Sequence, residues 1–207
     1  MPKRDPEHMN AQRERILRAT IECIARKGVE GMSMADIRQQ AGLSTGAIYV
    51  HFANKEDIVA EALRYGIVDA LEFPDDWPSF RALIANLDDQ LGFDIETIVR
   101  TRLHLRAEAA RPGNLHDVFK PILEEALAIL SDHLQAMADR GAIELRMSAR
   151  QTAQGMSAFV DGSLWLALAI DRPLEDLKSE LALGLDQFVA VRAISARSRL
   201  EASPHAP

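Results

Sequence analysis

Between Met34 and Phe52 the sequence MADIRQQAGLSTGAIYVHF leaves the chain few ways to fold. Gly42 sits at its middle and can take the positive φ that other residues avoid, so two short helices meeting at a tight corner fit better than one long helix. Ser33 precedes Met34-Ala35-Asp36 in an S-x-x-D pattern, where the hydroxyl caps a free amide and the carboxylate lies at the positive end of the helix. This predicts a helix to about Gln40, and Ser44 or Thr45 opens a second that ends near Phe52. Ile37, Ala41, Leu43, Ile48 and Phe52 are the inward positions, with small and apolar residues at the corner and an i, i+4 pair holding the second helix. The pattern is that of a helix-turn-helix. Thr45 and Tyr49 share the other face with Gly46 and Ala47 between them, a small, polar-tipped surface that can enter a major groove about 12 Å wide. Gly46 weakens its helix by roughly 1 kcal/mol relative to Ala, and its small size suits close backbone approach to DNA.

The flanking segments also have helical spacing. From Asn10 to Lys27, Ile16, Leu17, Thr20, Ile21 and Ile24 recur on one side, and Gly28 supplies a stop. Asn54 with Asp57 three residues later opens a fourth helix, continued by Ile58, Ala62 and Tyr65. Beyond the break at Phe73-Pro74-Asp75-Asp76-Trp77-Pro78, helices are predicted over 79–91, 93–110, 116–140, 149–170 and 174–198. They are separated by Gly92, Pro112-Gly113-Asn114, Gly141 and Asp171-Arg172-Pro173. No run of alternating β-branched residues asks for a strand. The fold class expected is all-α with about nine helices, and residues 1–9 and 201–207 are expected to be disordered.

The net charge of −7 argues against nucleic acid until its distribution is considered. Residues 1–64 carry ten Lys or Arg and nine Asp or Glu, whereas 65–207 carry 14 and 22, so the acidity belongs to the larger part. Charges farther apart than a Debye length of about 8 Å are largely screened, and a local basic face can still hold phosphate. The single cysteine, Cys23, is expected to be a buried small apolar residue and not a thiol sensor. The N-terminal MPKRDPEHMNAQRER lacks a signal-peptide core, and nowhere do about 18 uncharged apolar residues run together. A cytoplasmic protein without membrane contact is therefore expected. An all-helical enzyme is the competing class. Its chemistry is missing: there is no Ser/His/Asp or Cys/His constellation, no phosphate-cradling glycine loop and no di-iron pattern, so neither a catalytic residue nor a metal or cofactor is expected.

The run AGLSTGAIYVHFANKEDIVAEAL resembles the signature of the TetR family of bacterial regulators. The resemblance covers roughly the first 65 residues closely; the remainder is similar only in length and helix count. It implies that Ser44 to Val50 is a recognition helix and that Tyr49, His51 and Lys55 hold phosphates. The implied DNA-binding set is Ser33, Ser44, Thr45, Gly46, Ala47, Tyr49, His51 and Lys55. The chemistry is consistent, since the phenol and imidazole can donate and Lys55 lies in a first helical turn whose free amides attract an anion. Tyr49 also fits a core aromatic with its hydroxyl at the surface, and His51 a cap on the third helix. Arg4, Lys3, Arg13 and Arg15 are further phosphate candidates or simply solvated charges.

For the larger part, the resemblance implies a ligand-binding and dimerisation domain over 71–200, joined by a connecting helix at 54–70 to a DNA-binding domain at 1–53. Ala149, Ala153, Met156, Val160 and Leu164 line one side of 149–170, with Gly155, Ala158 and Gly162 keeping part of the surface flat. Leu174, Leu177, Leu181, Phe188, Val191 and Ile194 form a stripe on 174–198. A monomer core could absorb both stripes; the resemblance implies instead a homodimer through these two helices. Candidate ligand contacts are Trp77, Phe93, Phe119, Phe159 and Trp165 as walls, with Arg100, His104 and Asp161 as polar contacts. Phe80, Leu103, Met156 and Arg102 are further candidates. Asp161 stands out because AFVDGSLWL is an apolar stretch in which a carboxylate needs a partner. The function expected is a repressor that binds a palindromic double-stranded DNA operator and is released by a small-molecule inducer.

Overall fold

The computed structural model describes residues 6–69 and 72–191. Helices α1 (Pro6–Gly31), α2 (Met34–Ala41), α3 (Thr45–Tyr49) and α4 (Lys55–Arg64) form one end of the molecule. The body consists of α5 (Trp77–Ala85), α6 (Leu87–Leu91), α7 (Ile95–Ala109), α8 (Asn114–Asp139), α9 (Ala149–Ala169) and α10 (Leu177–Leu185). Gly28 (φ 70°, ψ 172°) interrupts α1 where the sequence places its stop. The expected disorder of residues 1–9 does not extend to Pro6–Met9, which are the first turn of α1. Residues 1–5 and 201–207 lie outside the described residues.

Two long segments are divided. The helix expected over 79–91 becomes α5 and α6, because Asn86 (φ −122°, ψ 49°) leaves the helical region and turns its Nδ2 back to the Ala82 carbonyl, 2.8 Å away. The helix expected over 174–198 becomes a 3₁₀ turn at Leu174–Asp176, then α10, then a strand. That strand, β2 (Val189–Val191), pairs antiparallel with β1 (Ile143–Leu145), Val189 opposite Leu145. The sequence shows no strand here because the ribbon is three residues deep and each partner is remote from the other. Close packing explains the break: Gly184 lies directly against the Phe159 ring, and a Cβ on Gly155 would come within 2.7 Å of Phe188. Leaving the helix after Leu185 lets Phe188 settle over Gly155. The expected positions 192–198 lie outside the described residues.

Two hydrophobic clusters hold the chain together. One joins the helix-turn-helix end to α7 and α8 through Ile16, Ile24, Ile37, Ile58, Leu105 and Phe119. The other lies within the body and centres on Trp77, Phe80, Leu134, Met137, Val160 and Leu185. The first crosses the expected domain boundary, since α1 packs lengthwise on α7: Thr101 Oγ1 donates to the Ile21 carbonyl (3.2 Å), and Arg18 donates to the Leu91 carbonyl (2.9 Å) with its guanidinium 4.2 Å from the Phe93 ring centre. Most of the apolar stripe residues read as pairing surfaces turn inward, while Val191 is 52% exposed. Ala149, Ala153, Met156, Val160 and Leu164 are buried in the monomer, as are Leu177 and Leu181.

Candidate DNA-reading helix and effector cavity

The corner is built as its residue types require. Ser33 and Asp36 form a reciprocal capping box, with the Asp36 amide donating to Ser33 Oγ (3.3 Å) and the Ser33 amide donating to Asp36 Oδ2 (2.9 Å). Lys27 at 2.7 Å and then the Ser33 donors hold the Asp36 carboxyl well below the ordinary carboxylate range. Gly42 (φ 59°) ends α2 in the left-handed region, and Ser44 Oγ accepts from the Ala47 amide at 3.1 Å to start α3. Ile37 and Ile48 are fully buried beneath the corner and Phe52 closes it. The outer face of α3 is then free of core duties: Ser44, Thr45 and Gly46 are exposed, Ala47 is half-buried, and Tyr49 is 52% exposed. A Cβ on Gly46 would meet nothing within 4 Å, so its smallness serves no packing need inside the monomer. Tyr49 is not a core aromatic.

The remaining expected DNA contacts have internal partners. His51 is half-buried, with Nε2 3.4 Å from Gln12 Oε1. Lys55 Nζ donates to the Met32 carbonyl, which ties the start of α4 to the α1–α2 junction. The Ser33 hydroxyl already donates to Asp36 Oδ2 (2.8 Å), so its proton is engaged in the cap.

Two adjoining cavities lie against α7 and α8, the first beside α1 and α4 and the second beside α5, α6 and α9. The first, about 80 Å³, is walled by Ile24, Leu63, Phe93, Leu105 and Phe119, among others. The second, about 110 Å³, reaches Phe80, Leu130, Met156 and Val160. Both are bounded by Gly66, Ile67, Arg102 and Arg106. Gly66 and Ile67 belong to a π-helical turn, Tyr65–Asp69, that extends α4.

Of the residues expected at a ligand, Phe93 and Phe119 stand in the first cavity's wall. Asp161 stands behind the shared wall, 14% exposed, with Oδ1 2.9 Å from Arg102 and Oδ2 paired with Arg106. The other five lie elsewhere. Trp77 is core, its indole N–H donating to Asp186 Oδ1 (2.8 Å), and Arg100 pairs with Glu96 on the outside of α7. His104 fills the space beside Gly28, Phe159 packs on Phe188 and Gly184, and Trp165 is 54% exposed. Sequence reasoning missed Arg106. Its signal was an i, i+4 arginine pair, Arg102 and Arg106, on a helix whose Ile98, Val99 and Leu105 are buried.

A helix-turn-helix that offers one small exposed helix from a fixed corner, joined through α1 and α4 to a mainly helical body with half-open cavities, fits a DNA-binding transcriptional regulator. Residues 16–62 match the family model described as bacterial regulatory proteins, tetR family. The helix-turn-helix segment thus carries the tetR family pattern, and the chain as a whole is similar to regulators of that family. The HTH-type transcriptional regulator BetI of Paraburkholderia phymatum is 26% identical, with 89% of this chain and 95% of that protein covered. A putative TetR-family regulator from Rhodococcus sp. shares the fold at a TM-score of 0.71 and 22% identity, covering 86% of this chain and 98% of that one. The regulator FadR from Bacillus subtilis, solved with stearoyl-CoA, aligns at a TM-score of 0.62 and 25% identity over 83% of this chain and 96% of its own. These relatives are regulators, not enzymes. Among the described residues no helix is long and apolar enough to cross a membrane.

Proposed function

We propose that this regulator is a repressor that binds a palindromic operator as a homodimer and leaves it when a small molecule enters the body. The observation that carries the DNA half is the outer face of α3, where Thr45, Gly46 and Tyr49 are exposed while Ile48 beneath them is buried. In this reading Thr45, Gly46, Ala47 and Tyr49 approach the major groove. Ser44 and Tyr49 offer hydroxyls to phosphate, and His51 and Lys55 add donors from the edge of the corner. Ser33 acts as the cap that holds α2 in place and contributes to DNA contact least.

The dimer surface belongs to the face of α9 that the monomer leaves uncovered. Ala158, Gly162, Trp165, Leu166 and Ala169 recur at helical spacing and are all exposed, with Leu183 of α10 63% exposed. Two chains meeting there set two recognition helices on one duplex, where half-sites lie about 34 Å apart. The division proposed is 1–53 for DNA, 54–70 as connector and 71–200 for ligand and dimer. The connector couples the two, since Leu63, Gly66 and Ile67 wall the cavities while Lys55 at its other end is tied to the α1–α2 junction. An occupant that displaces the π-turn shifts the corner with it, and so favours the state that does not fit the operator. FadR with stearoyl-CoA, and a regulator from Saccharomonospora viridis solved with choline, support a sensing body in this fold.

A gel shift at fixed salt with the DNA upstream of the protein's own gene tests the reading. The wild type should retard that fragment and unrelated DNA should not compete; equal competition by unrelated DNA overturns it. A thermal-shift screen of small molecules, with each hit returned to the gel shift, tests release, because a ligand of the folded form raises Tm and an inducer must also weaken DNA binding.

A further inference from the structure

We propose that the effector is a small organic anion with an apolar body, whose charged group takes the place of Asp161 on the Arg106 guanidinium. The proposal rests on the reading of the body as a sensor and adds the chemical class of what it senses.

The walls carry the argument. In both cavities the ionised lining residues are Arg102 and Arg106; every other wall residue is apolar, a glycine or a hydroxyl-bearing Thr101 or Ser157. Among the described residues no acidic side chain lines either space. Behind the wall, one carboxylate serves both guanidiniums, with Asp161 Oδ1 2.9 Å from Arg102 and Oδ2 taken by Arg106 Nη2. The cluster therefore keeps one positive charge uncompensated, on guanidiniums 29% and 34% exposed whose other surroundings are apolar walls. Burial and the neighbouring Arg102 push Arg106 down only to about 10, so the cluster does not shed that charge at neutral pH.

An incoming anion neutralises the cluster, a neutral molecule leaves it as it is, and a cation adds to it. Arg102 reaches Asp161 through both Nε and Nη2, whereas Arg106 engages it through Nη2. Arg106 is thus the partner whose fork can turn to a second carboxylate while Arg102 retains Asp161. Size sets the rest. The adjoining spaces of about 80 and 110 Å³ are together on the scale of the roughly 150 Å³ void that accommodates benzene. One aromatic ring or a short alkyl chain bearing a carboxylate fits; a long lipid chain does not.

The test uses the full chain and three probes of one shape: benzoate, benzamide and benzylammonium. Calorimetry on the wild type should show benzoate binding at least tenfold more tightly than benzamide, with no binding of benzylammonium. Arg106→Met should erase the difference between benzoate and benzamide, and Asp161→Asn should tighten benzoate about tenfold by freeing the guanidinium. The wild-type comparison needs no variant to fold. Benzamide or benzylammonium binding as tightly as benzoate overturns the proposal, as does absence of binding by all three. If benzamide binds equally and also releases DNA, the sensing reading stands and the anion is wrong. If benzoate binds selectively and leaves the gel shift unchanged, the anion site stands and the sensing reading fails.

Discussion

At the residue scale, the side chains of this regulator divide by whether the fold already uses them. Tyr49 is half in solvent, so Tyr49→Ala should leave the unfolding free energy, read from urea denaturation, within about 0.5 kcal/mol of wild type while weakening operator binding. Unchanged affinity in a gel shift at fixed salt would remove Tyr49 from the DNA contacts. Lys55 is different, since its ammonium is anchored on the Met32 carbonyl. Lys55→Met should both loosen that junction and lower the slope of log K against log salt by about one, the signature of one lost phosphate contact. A smaller affinity with an unchanged slope would mark Lys55 as a strap only. Tyr49 and Lys55 were legible in the sequence as members of one motif. Arg106 was not, because an arginine on a long helix looks like a solvated charge until the fold places a carboxylate and two cavities around it.

At the scale of elements, α2 depends on its cap. Ser33→Ala removes the acceptor for the Asp36 amide and should lower stability by about 1 kcal/mol, read as a shift of the urea midpoint; no shift would show that Lys27 and Asp36 hold the helix start unaided. The same box makes a pH prediction. The folded-state value of Asp36 lies below its ordinary 3.8, so its stabilisation is complete above that value and is lost as pH falls from there toward the lowered one. Asp36→Asn should flatten acid unfolding in that range, and an identical acid limb in the variant would contradict it. Caps and stops such as Ser33, Gly42 and Asn54 announce themselves locally. The Asn86 break and the β1–β2 ribbon do not, since both depend on neighbours far along the chain.

At the scale of the whole molecule, the proposed function uses two exposed faces together, α3 for DNA and the outer side of α9 for pairing. Trp165→Glu places a charge in the face proposed for pairing, and should give a monomer by sedimentation whose operator affinity falls at least a hundredfold. The buried face of α9 is untouched, so Tm of the monomer should fall only by the loss of association. A Trp165→Glu protein that remains dimeric would move the interface elsewhere.

The sequence by itself determined the helical class, the caps and the helix-turn-helix, because each depends on residues within one or two turns of one another. Which stripe of α9 faces the core, and which the solvent, only the tertiary structure decided. Ala149, Ala153 and Met156 against Gly162, Trp165 and Leu166 are two apolar faces of one helix, and local spacing does not rank them. The proposed effector cavity was decided the same way. Arg102 and Arg106 on α7, Asp161 on α9, Gly66 after α4 and Phe119 on α8 come from separate stretches of the chain, and only packing brings them together.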